Sequence, residues 1–76
     1  MILREFLTVI AGEMVGLKNR TAEPVYYEAD KNAIRAYREE DLDREIYKIE
    51  AGGKNRFVVI FHSSFSVLNF LNTARG

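Results

Sequence analysis

His62 is the single histidine of the chain, so any reaction that needs an imidazole near neutral pH would have to use it. Ser63 and Ser64 follow with hydroxyls, but adjacency in sequence does not place a nucleophile within hydrogen-bond reach of a base. No Gly-x-Ser-x-Gly elbow is present to expose a serine. Glu39, Glu40, Asp41, Asp43 and Glu45 form the densest run of carboxylates, the donor type that hard cations and acid–base pairs require. Nothing in their spacing makes them converge. The run matches neither an EF-hand loop nor a metalloprotease helix, and Glu39 shares a helical face with Asp43 only if a helix continues through Leu42. It reads as a charged helix end followed by a turn. Gly52-Gly53-Lys54 lacks the full Walker A spacing and reads as a turn rather than a phosphate cradle. With no cysteine there is no disulfide, thiolate nucleophile, iron–sulfur cluster or cysteine-rich zinc site. The expectation is a non-enzymatic protein with no catalytic residue, no metal ligand and no cofactor.

Any site must therefore be a binding surface, carried by a small scaffold. The chain has 76 residues, enough for one domain, residues 1–76, whose folding hides only about 60–65% of its surface. A hydrophobic content of 47% is nevertheless well above that of a disordered chain. Leu3, Phe6, Leu7 and Ile10 recur at helical spacing and predict a first helix stopped near Gly12. Met14-Val15-Gly16-Leu17 predicts a short strand over 14–18, in which Gly16 is tolerable only where another group approaches the backbone closely. Pro24 cannot donate to an interior ladder and so precedes the next strand, 25–29. Asp30 is placed to cap a helix from Lys31, and Asp41-Leu42-Asp43 to end it, with Arg35 and Glu39 as an i, i+4 pair. Residues 45–50 alternate imperfectly, Gly52-Gly53 signals a turn, and Phe57-Val58-Val59-Ile60-Phe61 is apolar on both pleat faces, the pattern of a central strand. For residues 63–76 the pattern admits a strand, a flexible tail or a short helix, and the helix is preferred because it would cover the central strand. The predicted fold is α+β: a small antiparallel sheet with short covering helices in the order α-β-β-α-β-β-α.

Charge is balanced overall, eleven basic against eleven acidic residues, which removes the strong field of a sequence-independent nucleic-acid binder. It is unevenly spread. Residues 23–50 carry nine acids and five bases, whereas Lys54, Arg56 and Arg75 are the charged residues of 51–76. Tyr26 and Tyr27, adjacent in a strand, point to opposite faces, and Tyr47, Phe65 and Leu68 add large apolar area. These residues, with Glu28, Asp30 and Lys48 setting the electrostatic fit, are the candidates for binding a protein partner or a second copy. The alternative is single-stranded nucleic acid, stacked on Phe57 beside Lys54 and Arg56. Arg4 and Glu5 interrupt the opening apolar residues before a signal-type run forms, and 18 consecutive apolar residues occur nowhere. A cytoplasmic protein that does not engage membranes is expected.

Leu3-Arg4-Glu5-Phe6-Leu7-x-Val9-Ile10, followed by Leu42-Asp43-Arg44-Glu45-Ile46, resembles small uncharacterised accessory proteins of bacterial phages and mobile elements. The likeness spans much of residues 3–60 in general order, and Glu23-Pro24 and the aromatic tail depart from it. What the resemblance implies is an accessory protein that binds a host or mobile-element component, as an inhibitor of bacterial defence would, with no catalytic residue carried over.

Overall fold

A computed structural model of the chain describes residues 1–62, which form the two helices and four strands that position the candidate surfaces. Helix α1, Leu3–Val9, buries Leu3, Phe6 and Leu7, and Ile10 continues the same stripe just beyond its end. The Ile2 amide donates to the Glu5 carboxylate at 3.0 Å. Two further amides of the first turn, those of Leu3 and Arg4, donate to the carbonyls of Arg44 and Leu42 at 3.1 and 2.8 Å. The helix start is thus satisfied by a segment some forty residues away rather than by a polar cap, since Ile2 has no side-chain acceptor.

Strand β1, Met14–Lys18, occupies the predicted span, and β2, Tyr27–Ala29, is shorter than the predicted 25–29. Pro24 precedes β2, and the Tyr26 amide is still bonded to the Leu17 carbonyl at 2.9 Å. Helix α2, Lys31–Tyr37, is capped by Asp30, whose side chain accepts from the Ala33 amide at 2.9 Å. Its cationic side chains serve the first helix: Lys31 Nζ donates to the Ile10 carbonyl at 2.9 Å and Arg35 Nη2 to that of Leu7 at 3.4 Å. Both reach the carbonyl end of α1, where the helix dipole favours positive charge. The expected Arg35–Glu39 pair requires a helix running past Glu39. Instead α2 stops at Tyr37 and the chain tightens into a 3-10 turn over Glu39–Asp41.

Strands β3, Ile46–Gly53, and β4, Arg56–Phe61, make an antiparallel hairpin. Its reversal lies two residues beyond the position expected, at Lys54-Asn55, with Asn55 at φ 56° and Gly53 at φ 129°. Asparagine tolerates that left-handed conformation better than most residues, which lets the strand run on through Gly52.

The sheet order is β2-β1-β4-β3, mostly antiparallel as expected. Its central ladder is the exception: β1 and β4 run parallel, with Val15 opposite Phe57 and Leu17 opposite Val59. The intervening chain through β2, α2 and β3 supplies the long return that a parallel pair needs. β4 is accordingly a central strand and buried on both faces: Val59 and Phe61 join one core cluster with Leu3, Phe6, Leu7, Val15, Leu17, Ile34, Leu42 and Ile46, while Val58 and Ile60 are buried on the opposite face. The expected tail helix lies outside the described residues.

Candidate functional site

Polar groups of the described residues gather in three places, and they differ in what they leave available. The first surrounds Asp41, a buried carboxylate in the 3-10 turn. Its Oδ2 accepts from the Tyr26 hydroxyl at 2.8 Å and from Arg38 Nε at 3.0 Å, and its Oδ1 from Arg44 Nη1 at 3.3 Å. The same Arg44 nitrogen lies 2.9 Å from Asn19 Oδ1, and its guanidinium stacks 4.0 Å from the centroid of the Phe61 ring. Arg38 lies 5.3 Å from the Tyr26 ring and 5.8 Å from that of Tyr27, within cation–π range of both, and also pairs with Glu40 at 3.2 Å. Burial, the hydrogen bond to Asp41 and the charge of that carboxylate hold the Tyr26 phenol well above its ordinary pKa of 10.0, against the opposing pull of Arg44 and Arg38. Two arginines and a tyrosine thus saturate one acid. Among the described residues no buried side-chain nitrogen or oxygen lacks a hydrogen-bond partner, so the cluster ties α2, β2 and the 42–44 segment together and offers a ligand nothing unspent.

The second place is the sheet face carrying Glu28, Gly16 and Arg56. Arg56 on β4 reaches over β1 to Glu28 on β2 in a two-pronged ion pair, with Nη2 to Oε1 at 3.3 Å, and its Nη1 donates to the Gly52 carbonyl at 3.1 Å. Gly16 makes the crossing feasible: a Cβ there would stand 3.2 Å from Val25 Cγ2 and 3.5 Å from Arg56 Nη2. The close approach that a glycine inside β1 demanded is therefore present. A Cβ at Gly52 would collide with Arg56 Nη1 and lie 2.9 Å from Val58 Cγ2.

The third place is the outer edge of the sheet. β3 follows β4, and its outer side is closed at the start, where the Ile46 amide donates to the Met1 carbonyl at 2.8 Å and Ile2 bridges Glu45 antiparallel; among the described residues no further strand pairs with it on that side. Tyr47 through Ala51 are exposed, with Tyr47 at 57% and Ile49 at 37% of full accessibility. Lys48 and Glu50 are partnered to each other at 3.2 Å along the strand. At the beginning of β3 an open cleft of about 430 Å³ is lined by Ile2, Glu40, Asp43, Arg44, Glu45 and His62. Its charged groups are all partnered: Glu40 with Arg38 at 3.2 Å, Asp43 with Arg4 at 3.1 Å, Glu45 with the N-terminal ammonium at 3.5 Å, and Arg44 with Asp41. The His62 ring packs edge-on to Tyr47 with centroids 5.3 Å apart. By contrast β2, the other edge, is three residues long.

The binding candidates separate accordingly. Tyr47 and Lys48 stand together on the β3 edge, whereas Tyr26 is drawn into the Asp41 cluster and Tyr27 packs half-buried against the core. Asp30 serves α2 as its cap, and Glu28 holds Arg56. Arg56 is thus shared between the two candidate sets, bound to a residue of the other. Phe57, the proposed stacking residue, is half-buried against Phe6 in an edge-to-face contact at 5.7 Å, and Lys54 is exposed in the β3–β4 turn. Phe65 and Leu68 lie outside the described residues. The sequence reading missed Arg38 and Arg44 as partners of Asp41, and Asn19 as a partner of Arg44. The only signal for them was two arginines spaced three residues to either side of an acid, a pattern common on solvated surfaces.

Among the described residues no group of three or more histidine, cysteine, aspartate or glutamate side chains is arranged to hold a metal ion, and no helix is long and apolar enough to cross a membrane. The class that fold and surfaces define is a small α+β domain with one long sheet edge, closed at its start by Met1 and Ile2. No protein-family model, curated protein or solved structure matches the chain.

Proposed function

We propose that the protein is a non-enzymatic binding module that accepts an extended segment of a protein partner along the outer edge of β3. The observation that carries this reading is the edge itself: in a strand of eight residues, Tyr47 to Ala51 are exposed beyond the point where Met1 closes on Ile46, with an open cleft beside the strand's start. An unpaired edge presents a row of amides and carbonyls that an added strand satisfies, and side chains such as Tyr47 and Ile49 supply the apolar contact. An accessory protein that occupies a host component, the role implied by the resemblance to phage and mobile-element proteins, would act through such an edge. Single-stranded nucleic-acid binding draws less support, because Arg56 is held by Glu28 and Phe57 is packed against Phe6.

The test is an amide-resolved NMR titration with a panel of extended peptides and, in parallel, with oligonucleotides. Peptide binding that shifts the amides of residues 46–53 and is lost in Y47A is the expected result. Salt-sensitive oligonucleotide binding centred on Lys54 and Arg56, with no peptide response, would overturn the proposal in favour of the nucleic-acid alternative.

A further inference from the structure

Resting on the reading of β3 as a protein-binding edge, we infer that the cleft at the start of that strand takes one neutral aromatic side chain, a tryptophan, from the segment lying on the edge. Position is the first ground. The Ile46 amide already donates to the Met1 carbonyl at 2.8 Å and Ile2 bridges Glu45 antiparallel, so an added segment pairs with β3 only beyond that point and its backbone leaves the sheet at Tyr47. The cleft opens there: the bridged residues Ile2 and Glu45 stand in its wall together with His62. A guest that keeps the antiparallel direction of Met1–Ile2 arrives with its C-terminal end, which makes the tryptophan its last residue.

Edge and cleft share one aromatic surface. Ile46 is opposite Phe61 and Ile49 opposite Val59, so both isoleucines face the core although they are three residues apart. The irregularity between Ile46 and Lys48 absorbs the extra residue, and the Tyr47 ring stands edge-on to His62 with centroids 5.3 Å apart and planes at 71°. A guest ring beside Tyr47 extends this pair of rings into the cleft whose wall His62 forms.

Charge decides the class of occupant. Glu40 is paired with Arg38, Asp43 with Arg4, Glu45 with the N-terminal ammonium and Arg44 with Asp41, so a charged side chain of either sign enters only by breaking a pair. The pairs engage Glu40 Oε2, Asp43 Oδ1 and Glu45 Oε2, and a carboxylate accepts through both of its oxygens. What the cleft offers a guest is therefore apolar Ile2, the imidazole of His62 and oxygens able to accept. An indole matches all three: its ring packs on Ile2 and His62, its N–H donates to a carboxylate, and it carries no charge. Phenylalanine has no donor, and lysine brings a charge whose counter-charges are already committed. A volume of about 430 Å³ lies near the lower bound of ligand pockets, roughly 300–1,000 Å³, and suits one large side chain.

The test is NMR titration of the full chain with N-acetyltryptophanamide and N-acetyllysinamide. The tryptophan compound should shift the Ile2 and Glu45 amides and the His62 imidazole saturably, and the lysine compound should not. H62A, at an exposed position, should weaken the tryptophan compound about fivefold, with circular dichroism verifying the fold. Acetylated, amidated peptides of alternating valine and threonine should bind residues 47–53 about tenfold more tightly when they end in tryptophan than when they end in alanine. The absence of saturable shifts at Ile2 and His62, or a lysine compound that binds as tightly, overturns the inference. Two peptides that shift residues 47–53 with equal affinity also overturn it and leave the β3 edge standing. Saturable tryptophan binding in the cleft with no peptide response sustains the cleft and overturns the edge.

Discussion

The Asp41 cluster and the β3 edge are both rich in charge and aromatic rings, yet they are opposites in what they leave unspent. Around Asp41 each group has a partner inside the chain: the carboxylate takes Tyr26, Arg38 and Arg44, and Arg44 also takes Asn19 and the Phe61 face. On β3, Tyr47 and Ile49 are exposed, and the Lys48–Glu50 pair is solvated on a strand whose outer side, past the Met1 contact at Ile46, takes no further strand among the described residues. A charged cluster is thus not a site merely because its residue types suit one. Saturation inside a low-dielectric pocket makes it scaffold, whereas exposed groups on an unpaired backbone remain available to a partner.

The largest effect separating the two regions should come from D41A. Removing the acid leaves two guanidinium groups and a phenol without their common acceptor, and should cost about 3 kcal/mol of stability, read from urea unfolding. A loss under about 1 kcal/mol would mean the cluster is as solvated as the edge and would break the contrast. Next comes G52A, which forces Arg56 and Val58 apart and should cost about 1–2 kcal/mol by the same measurement. G16A meets a milder contact with Val25 and should cost less.

Y26F should be smaller again, about 1 kcal/mol, because the ring stays while the hydroxyl's bond to Asp41 and the long contact it accepts from Arg44 Nη1 at 3.4 Å are lost. It also alters the response to alkali. The Tyr26 phenol is held above its ordinary 10.0, so it contributes stability that is complete below pH 10 and declines as pH rises through its folded pKa, since the unfolded phenol ionises first. In Y26F that part of the alkaline decline should vanish, along with the last phenolate to appear in an absorbance titration. The smallest stability change belongs to Y47A on the edge, within about 0.5 kcal/mol of wild type, although it removes peptide binding. A larger destabilisation without a separable binding defect would make Tyr47 a packing residue.

Much of the fold was legible because its signals are local. The helical stripe Leu3, Phe6, Leu7 and Ile10, the Asp30 cap, the 14–18 strand and the doubly apolar 57–61 strand each follow from spacing within a few residues. The glycine inside β1 was legible as a demand for close approach, though not which side chain would make it. The end of α2 was misread because REED has strong helix propensity, while the pull of Asp41 toward Tyr26, Arg38 and Arg44 favours a tighter turn. The hairpin turn was misplaced because Gly52-Gly53 outweighs Asn55 as a local signal.

The sequence by itself determined which residues are helical, which extended, and which face each turns inward, because backbone sterics and hydrophobic periodicity act over a few positions. Only the tertiary structure decided that β4 lies parallel beside β1, that Arg56 crosses Gly16 to Glu28, that Asp41 is buried among its partners and that β3 is left at the edge. Those outcomes depend on which distant elements meet, and pairing across thirty or forty residues is chosen by the packing of the whole core rather than by any short stretch of the chain.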